Sequence, residues 1–302
     1  MRRVGLLPAG FLKTDPEGQA RIAAFLDSLG KLGWNDGRNV RIEVRWPRNE
    51  IDPIKVEATA LVDSAPDAIV VSSNPALDAL RSLNKTIPVV FVQVSDPVGS
   101  GFVSSLSRPD GNVTGFQNFE PAVGGKWLGL LKEGVPSVVR VGVIVHPDAA
   151  AQFDFLHAAE AVAPSLGIQV SPISVRDEDE TRRGIVEFAN TPDGGLIVLP
   201  HPGNIDNRSL LIDLLARLRL PAIYPFRYFA TAGGLMSYGF DQIEQWRGAA
   251  GYVDRILRGA RPADLPVQAP TKYDLVINLK AARGLGLAIS PSLLATADEV
   301  IE

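Results

Sequence analysis

Cysteine is missing from all 302 residues, which removes disulfide bridges, thiolate nucleophiles and Cys-based zinc sites. Histidine occurs only three times, and basic charge is not in excess. Thirty Lys and Arg face 34 Asp and Glu for a formal net charge of −4, with no basic stripe, so nucleic acid is not an expected partner. No run approaches the ~20 apolar residues that a membrane helix requires. The sequence also lacks a G-x-x-x-x-G-K-[ST] phosphate loop and an H-E-x-x-H zinc helix. Ser237 sits in GGLMSYG, where the glycine lies one residue too far upstream for a nucleophile elbow. Gly284-Leu285-Gly286 lacks the third glycine of a dinucleotide loop and follows a helical stretch. No catalytic residue, metal site or cofactor is expected.

What is present suffices for two domains. At roughly 150 residues per domain, a chain of this length with 46% hydrophobic residues supports two sizeable cores. Residues 66–116 organise the first. Their two apolar runs, Ala68 to Val71 and Val89 to Val94, are short, β-branched and bounded by Pro and Ser. Strands buried on both faces of a parallel sheet have this character. Each run ends in a polar cluster, Ser72-Ser73-Asn74 and then Ser95-Asp96. Pro75 opens a helical stretch, which places Asn74 at the N-cap with proline first in the helix. In open α/β sheets, ligands bind beyond the carboxyl ends of the strands, against helix N-termini whose free N–H groups suit an anion. Capping alone would account for any one of these residues; two clusters after neighbouring strands favour a site.

In chain order, strand Val4 to Pro8, helix Pro16 to Gly30, a one-sided polar edge strand Val40 to Trp46 and helix Ile54 to Asp63 come first. The two strands already named follow, and Asn112 to Phe116 closes this first βα series. Helix Pro121 to Leu131 ends at Gly134-Val135-Pro136, and the pattern restarts. Its strands are Val139 to Val145, Ile168 to Val175, Gly195 to Leu199 and Ala222 to Pro225. Its helices are Asp154 to Leu166, Asp179 to Asn190 and Ser209 to Leu218. Strand Leu235 to Phe240, helix Gln242 to Leu257, a proline-rich connector over Gly259 to Pro270 and a short strand Leu275 to Ile277 follow. Helical stretches over Leu279 to Leu285 and Ser292 to Val300 complete the chain. The two series are of similar length without repeating in sequence.

The second series carries its own candidates. His146-Pro147 and His201-Pro202 follow strands, where ligand-contacting loops belong. The bland alternative is that each histidine only satisfies nearby backbone groups. Metal binding needs a third ligand, and His157 lies mid-helix. The loop Tyr224-Pro225-Phe226-Arg227-Tyr228-Phe229 offers aromatic stacking surface and, in Arg227, a fork for a carboxylate. Equally, Phe226 and Phe229 fit a core and Arg227 a surface charge. Tyr238 faces either a cleft or a packed crossing.

The blocks SNPALDAL (73–80), PVVFVQVSDPVGSGFVSSLSRPDGNVTG (88–115), LMSYGFD (235–241) and YDLVINLKAARGLGLAISPSLLATADEVIE (273–302), with the opening VGLL, carry a family resemblance. The chain resembles the solute-binding proteins of bacterial ABC importers, in the branch that includes tryptophan- and tyrosine-type binding proteins. That resemblance implies a type I periplasmic-binding-protein-like α/β fold: two Rossmann-like lobes with parallel sheets, joined by a three-segment hinge near 115–120, 238–241 and 262–271. One lobe would be 1–116 plus about 238–262, the other about 117–237 plus about 270–302. The implied function is capture, without catalysis, of a small organic molecule such as an amino acid or aromatic acid. The cleft would be lined by Ser73, Asn74, Ser95, Asp96, Gln117 and Asn118 from the first lobe. His146, His201, Tyr224, Phe226, Arg227 and Tyr238 would face it from the second. The expected partners are an anionic or zwitterionic small molecule and the ABC permease membrane subunits, the protein itself being a monomer. Met1-Arg2-Arg3 runs straight into the first strand. A periplasmic protein needs a signal peptide, so a leader outside this chain is expected. Two rivals stay open: an enzyme using Asp96 and His201 as acid and base, and a ligand-sensing domain of repressor type.

Overall fold

The apolar runs of the first 117 residues become a five-stranded, all-parallel sheet. In the computed structural model, which describes residues 1–47 and 51–302, they run as β1 (Arg2–Pro8), α1 (Pro16–Lys31), β2 (Val40–Val44), α2 (Ile51–Asp63), β3 (Ala68–Ser72), α3 (Asn74–Leu83), β4 (Val89–Val94) and β5 (Val113–Gln117). The order across the sheet is β2-β1-β3-β4-β5, which puts half-exposed β2 on the edge. Alternation along the strands divides the core in two. Leu6, Ala68 and Val70 face one way, against Phe25 of α1. Leu7, Ile69 and Val71 face the other, against Leu61 of α2 and Leu77 of α3. Local chemistry sets the helix starts. Asp15 caps α1 by accepting from the Glu17 N–H at 2.8 Å, with Pro16 in the first turn.

The second sheet begins after α4 (Val123–Gly134). It contains β6 (Arg140–Val145), α5 (Ala150–Leu166), β7 (Gln169–Ser174), α6 (Glu178–Ala189), β8 (Gly194–Val198), α7 (Pro202–Asp206), α8 (Arg208–Arg217), β9 (Ala222–Tyr224), α9 (Arg227–Thr231) and β10 (Met236–Gly239). The chain then gives α10 (Gln242–Leu257) back to the first unit, where Trp246 and Val253 complete the face begun by Leu6 and Phe25. It returns as β11 (Asp274–Asn278), α11 (Leu279–Leu285), α12 (Pro291–Thr296) and β12 (Glu299–Ile301). This sheet reads β12-β11-β10-β9-β8-β6-β7; only the β10–β11 pair is antiparallel. The two compact units are Met1–Phe119 with Asp241–Thr271, and Glu120–Phe240 with Lys272–Glu302.

Four local expectations need correction. The N-cap of α3 is Ser73, not Asn74, which is already helical. The end of the chain is not helical to Val300: the helix stops at Thr296, and Glu299–Ile301 pairs with β11. Short β-prone segments of this kind are decided by the partner strand rather than by local pattern. Arg227 and the residues after it form a helix rather than a loop, and Pro202 likewise opens a short helix, capped by His201.

Candidate functional site

In both sheets the strand order reverses beside the first strand of the unit. β1 lies between β2 and β3, and β6 lies between β7 and β8. A crevice opens beyond the carboxyl ends of the strands at such a switch point. Ser73, after β3, and His201, after β8, therefore hold equivalent places. Each is the N-cap of the next helix, with proline in its first turn.

In the first unit these loops are held by a polar network. The Ser72 hydroxyl donates to the Ala9 carbonyl at 2.6 Å, tying β3 to β1 across the switch point. The Asn74 amide makes a reciprocal pair with the backbone of Ser95: Nδ2 donates to its carbonyl at 2.8 Å, and Oδ1 accepts its N–H at 2.9 Å. Asn118 donates from its backbone to the Val94 carbonyl at 2.6 Å and from Nδ2 to the Ser95 hydroxyl at 3.5 Å. Asp96 turns inward on its own loop, its carboxylate accepting the Gly99 N–H at 2.9 Å.

Ser73, Gln93 and Asp96 adopt positive φ angles of 78°, 56° and 40°. A non-glycine residue held there costs about 1–3 kcal/mol, and such strain gathers at functional sites. At Gln93 the cause is visible. The register of β4 against β5 shifts between Phe91 and Val94, and Gln245 of α10 splints the opening. Its Oε1 accepts the Gln93 N–H at 3.1 Å and its Nε2 donates to the Gln117 carbonyl at 2.7 Å. Three buried side-chain atoms near these strand ends have no hydrogen-bond partner among the described residues: Ser73 Oγ, Gln93 Nε2 and Asn118 Oδ1. Buried polar atoms left unpaired are expensive, so a ligand that pairs them gains their hydrogen bonds at little added desolvation cost. Gln93 and Gln245 were not among the candidates read from the sequence. The one usable signal was Gln93 itself, a lone amide inside the apolar run PVVFVQV.

In the second unit His146 and His201 come together at the β6/β8 switch point. Their rings stack at 4.7 Å between centroids and 16° between planes. Gln152 joins the two loops, accepting the His146 N–H at 2.5 Å and donating to the Pro200 carbonyl at 3.3 Å. Burial, reinforced by His146, pushes His201 down to about 3. The sign of the resulting pH dependence follows. The unfolded chain takes up a proton near the ordinary histidine value of about 6.5 and the folded chain does not. His201 therefore contributes stability above that value, and the contribution fades as pH falls from 6.5 towards 3. Thermal unfolding of wild type and His201→Gln between pH 7.5 and 5 is expected to show the steeper acid loss in wild type; equal slopes would refute this.

The aromatic segment goes elsewhere. Tyr224 stacks on Phe229 at 4.9 Å, and Phe226 lies between Tyr228 and Phe240. Tyr224 and Phe226 are each only 2% exposed, and burial raises the Tyr224 hydroxyl above its ordinary value. Tyr224 borders a cavity of about 130 Å³ between the sheet and residues of α8 and α11, such as Ile212 and Leu285. The Arg227 fork grips the Glu299 carboxylate through two bonds of 2.7 Å. Tyr238 stacks on Tyr273 at 5.5 Å. Gln117 is buried, its carbonyl taken by Gln245.

Two α/β units, each with polar loops gathered at the switch point of its sheet, define a protein that binds small molecules. The chain belongs to the ABC transporter substrate binding protein family, whose model matches residues 14–301. It is 25% identical over 267 residues to a tyrosine-binding protein of Clostridioides difficile, covering 87% of this chain and 75% of that one. Among solved structures, a conserved domain protein from Vibrio cholerae superposes with a TM-score of 0.91 at 27% identity, over 99% of both chains. An ABC domain from Streptococcus pneumonia in complex with L-Trp gives 0.91 at 25% identity, again over 99% of both. With two mostly parallel sheets, the fold is that of type I periplasmic binding proteins. The family is one of substrate-binding proteins, not of enzymes, which removes the acid–base reading of Asp96 and His201.

Proposed function

We propose that the protein captures an amino acid or a closely related zwitterionic carboxylate and delivers it to an ABC permease, working in the periplasm. One observation carries the ligand class: the three unpaired buried atoms at the strand ends of the first unit. Ser73 Oγ and Gln93 Nε2 are donors suited to a carboxylate, and Asn118 Oδ1 is an acceptor suited to an ammonium. The N-terminus of α3 adds backbone donors and a favourable dipole beside Ser73. The names of the relatives, one tyrosine-binding and one holding L-Trp, agree with this class. Importer delivery and periplasmic placement rest on family membership, and no helix among the described residues is long and apolar enough to cross a membrane. In this reading Tyr224, Phe226 and Arg227 shape the second unit, while Ser73, Gln93, Ser95, Asn118, His146 and His201 meet the solute. Asp96 holds its loop.

The chain passes from one unit to the other at 119–120, 240–241 and 271–272, each time outside a helix or strand. Such crossings can act as hinges, so ligand binding is expected to favour a more compact form. Mass spectrometry of whatever co-purifies identifies the solute. Small-angle scattering with and without that solute then tests the closure: the radius of gyration is expected to fall on saturation, and an unchanged value in a protein shown to bind would refute it.

A further inference from the structure

The stacked histidines specify more than a place. Gly203 donates its N–H to His201 Nδ1 at 3.2 Å, and Asp148 donates its N–H to His146 Nδ1 at 3.3 Å. An imidazole nitrogen that accepts a hydrogen bond carries no proton, so in each neutral ring the proton sits on Nε2. Neither Nε2 has a protein partner among the described residues. The backbone at Gly203 and Asp148 thus locks the two rings into the same tautomer. Gln152, bonded to both loops, holds them face to face. A proton on either Nδ1 would break its backbone bond, and one on each would set two cations 4.7 Å apart. The Asp148 carboxylate, 4.0 Å from His146 Nδ1 and largely exposed, is the one acidic group paired with the stack among the described residues. A shared metal ion is also disfavoured, because each Nε2 already carries its hydrogen and near-parallel rings do not converge on one ion.

We propose that His146 and His201 form a twin N–H donor that reads an oxygen acceptor, a hydroxyl or carbonyl, on the side chain of the solute. This rests on the zwitterion reading proposed above and names a group on the solute's side chain. A side chain ending in an ammonium meets only N–H groups there and is rejected. A purely apolar side chain leaves two donors dry and unpaired, and sites built to hydrogen-bond discriminate strongly against analogues that lack the partner. Tyrosine is the simplest probe that carries both ends, and phenylalanine is the same probe without the oxygen.

Calorimetry of wild type with L-tyrosine and L-phenylalanine is expected to show a preference for tyrosine of at least about tenfold. In His146→Phe, which keeps a ring on the partly exposed side of the stack, that preference is expected to fall below about threefold. His201→Phe provides the second variant. Nitrogen-15 NMR of the side chains in wild type, where only His157 adds a third histidine, reads the tautomer directly. The Nε2–H form is expected for both rings, with both Nε2 shifts moving on addition of tyrosine and not of phenylalanine. Equal binding of the two amino acids by wild type overturns the twin donor alone, as does a preference that survives in both variants or an Nδ1–H tautomer. A wild-type protein that binds no amino acid, in a panel extending to the common carboxylates, overturns the zwitterion reading first and this inference with it.

Discussion

Replacing Trp246 by alanine is expected to lower the stability of the first unit by about 3–5 kcal/mol, the cost of a large cavity in a packed core. The indole is 1% exposed and meets the Phe25 ring edge-on at 6.4 Å. Around it are Leu6, Val70, Val90 and Val253. Its Nε1 is buried without a partner among the described residues, so Trp246→Phe removes an unpaired donor together with some volume and is expected to cost far less than the alanine. Urea unfolding of both variants, followed by fluorescence and by loss of ligand binding, decides the matter. An alanine variant within about 1 kcal/mol of wild type would show that α10 is not what closes this core.

The second large effect concerns the solute's charge. For the carboxylate solute proposed above, conversion of the α-carboxylate to its amide is expected to weaken binding about ten- to a hundredfold. A hydrogen bond to a charged group contributes roughly 1.5–3 kcal/mol, and each 1.4 kcal/mol is about tenfold in affinity. Here the donors are fixed before the ligand arrives. Ser73 is held at φ 78°, and the loop it belongs to is latched to Ser95 through Asn74. Little ordering entropy is left to oppose the Coulombic gain. Calorimetry with matched acids, amides and esters tests this. Equal affinities would mean that Ser73 and the start of α3 do not face a carboxylate.

The parallel strands were legible because burial on both faces leaves runs such as AIVV and VVFVQV that little else explains. Helix α10 was legible to the residue because its apolar positions repeat at helical spacing, and the structure adds Asp241 as its cap. The site was legible as a set of loops, since polar clusters after buried strands have few other uses. What could not be read was direction. Nothing in YPFRYF says that Tyr224 and Phe226 point into the core, because exposed and buried aromatics spell alike over six residues. The partner of Arg227 lies 72 residues away at Glu299, and that of Gln93 lies 152 residues away at Gln245. Contacts at such separation exist only once the sheets are assembled. The positive φ of Ser73 is likewise imposed by the fold, since serine carries no mark of it.

The exchange of α10 and of the C-terminal strands between units also fixes when the protein can finish folding. As residues leave the ribosome in order, the first 119 present a sheet whose one face, with Leu6, Val70 and Val92, waits for Trp246, Ala249 and Val253. The second unit is equally incomplete at Phe240, because β11 and β12 are still to come. The face toward α10 in the first unit and the β10 edge in the second are completed only by residues from the last fifth of the chain, so both units are expected to finish folding late in synthesis. A chain cut after Phe240 is expected to be degraded rather than to yield half a binding protein.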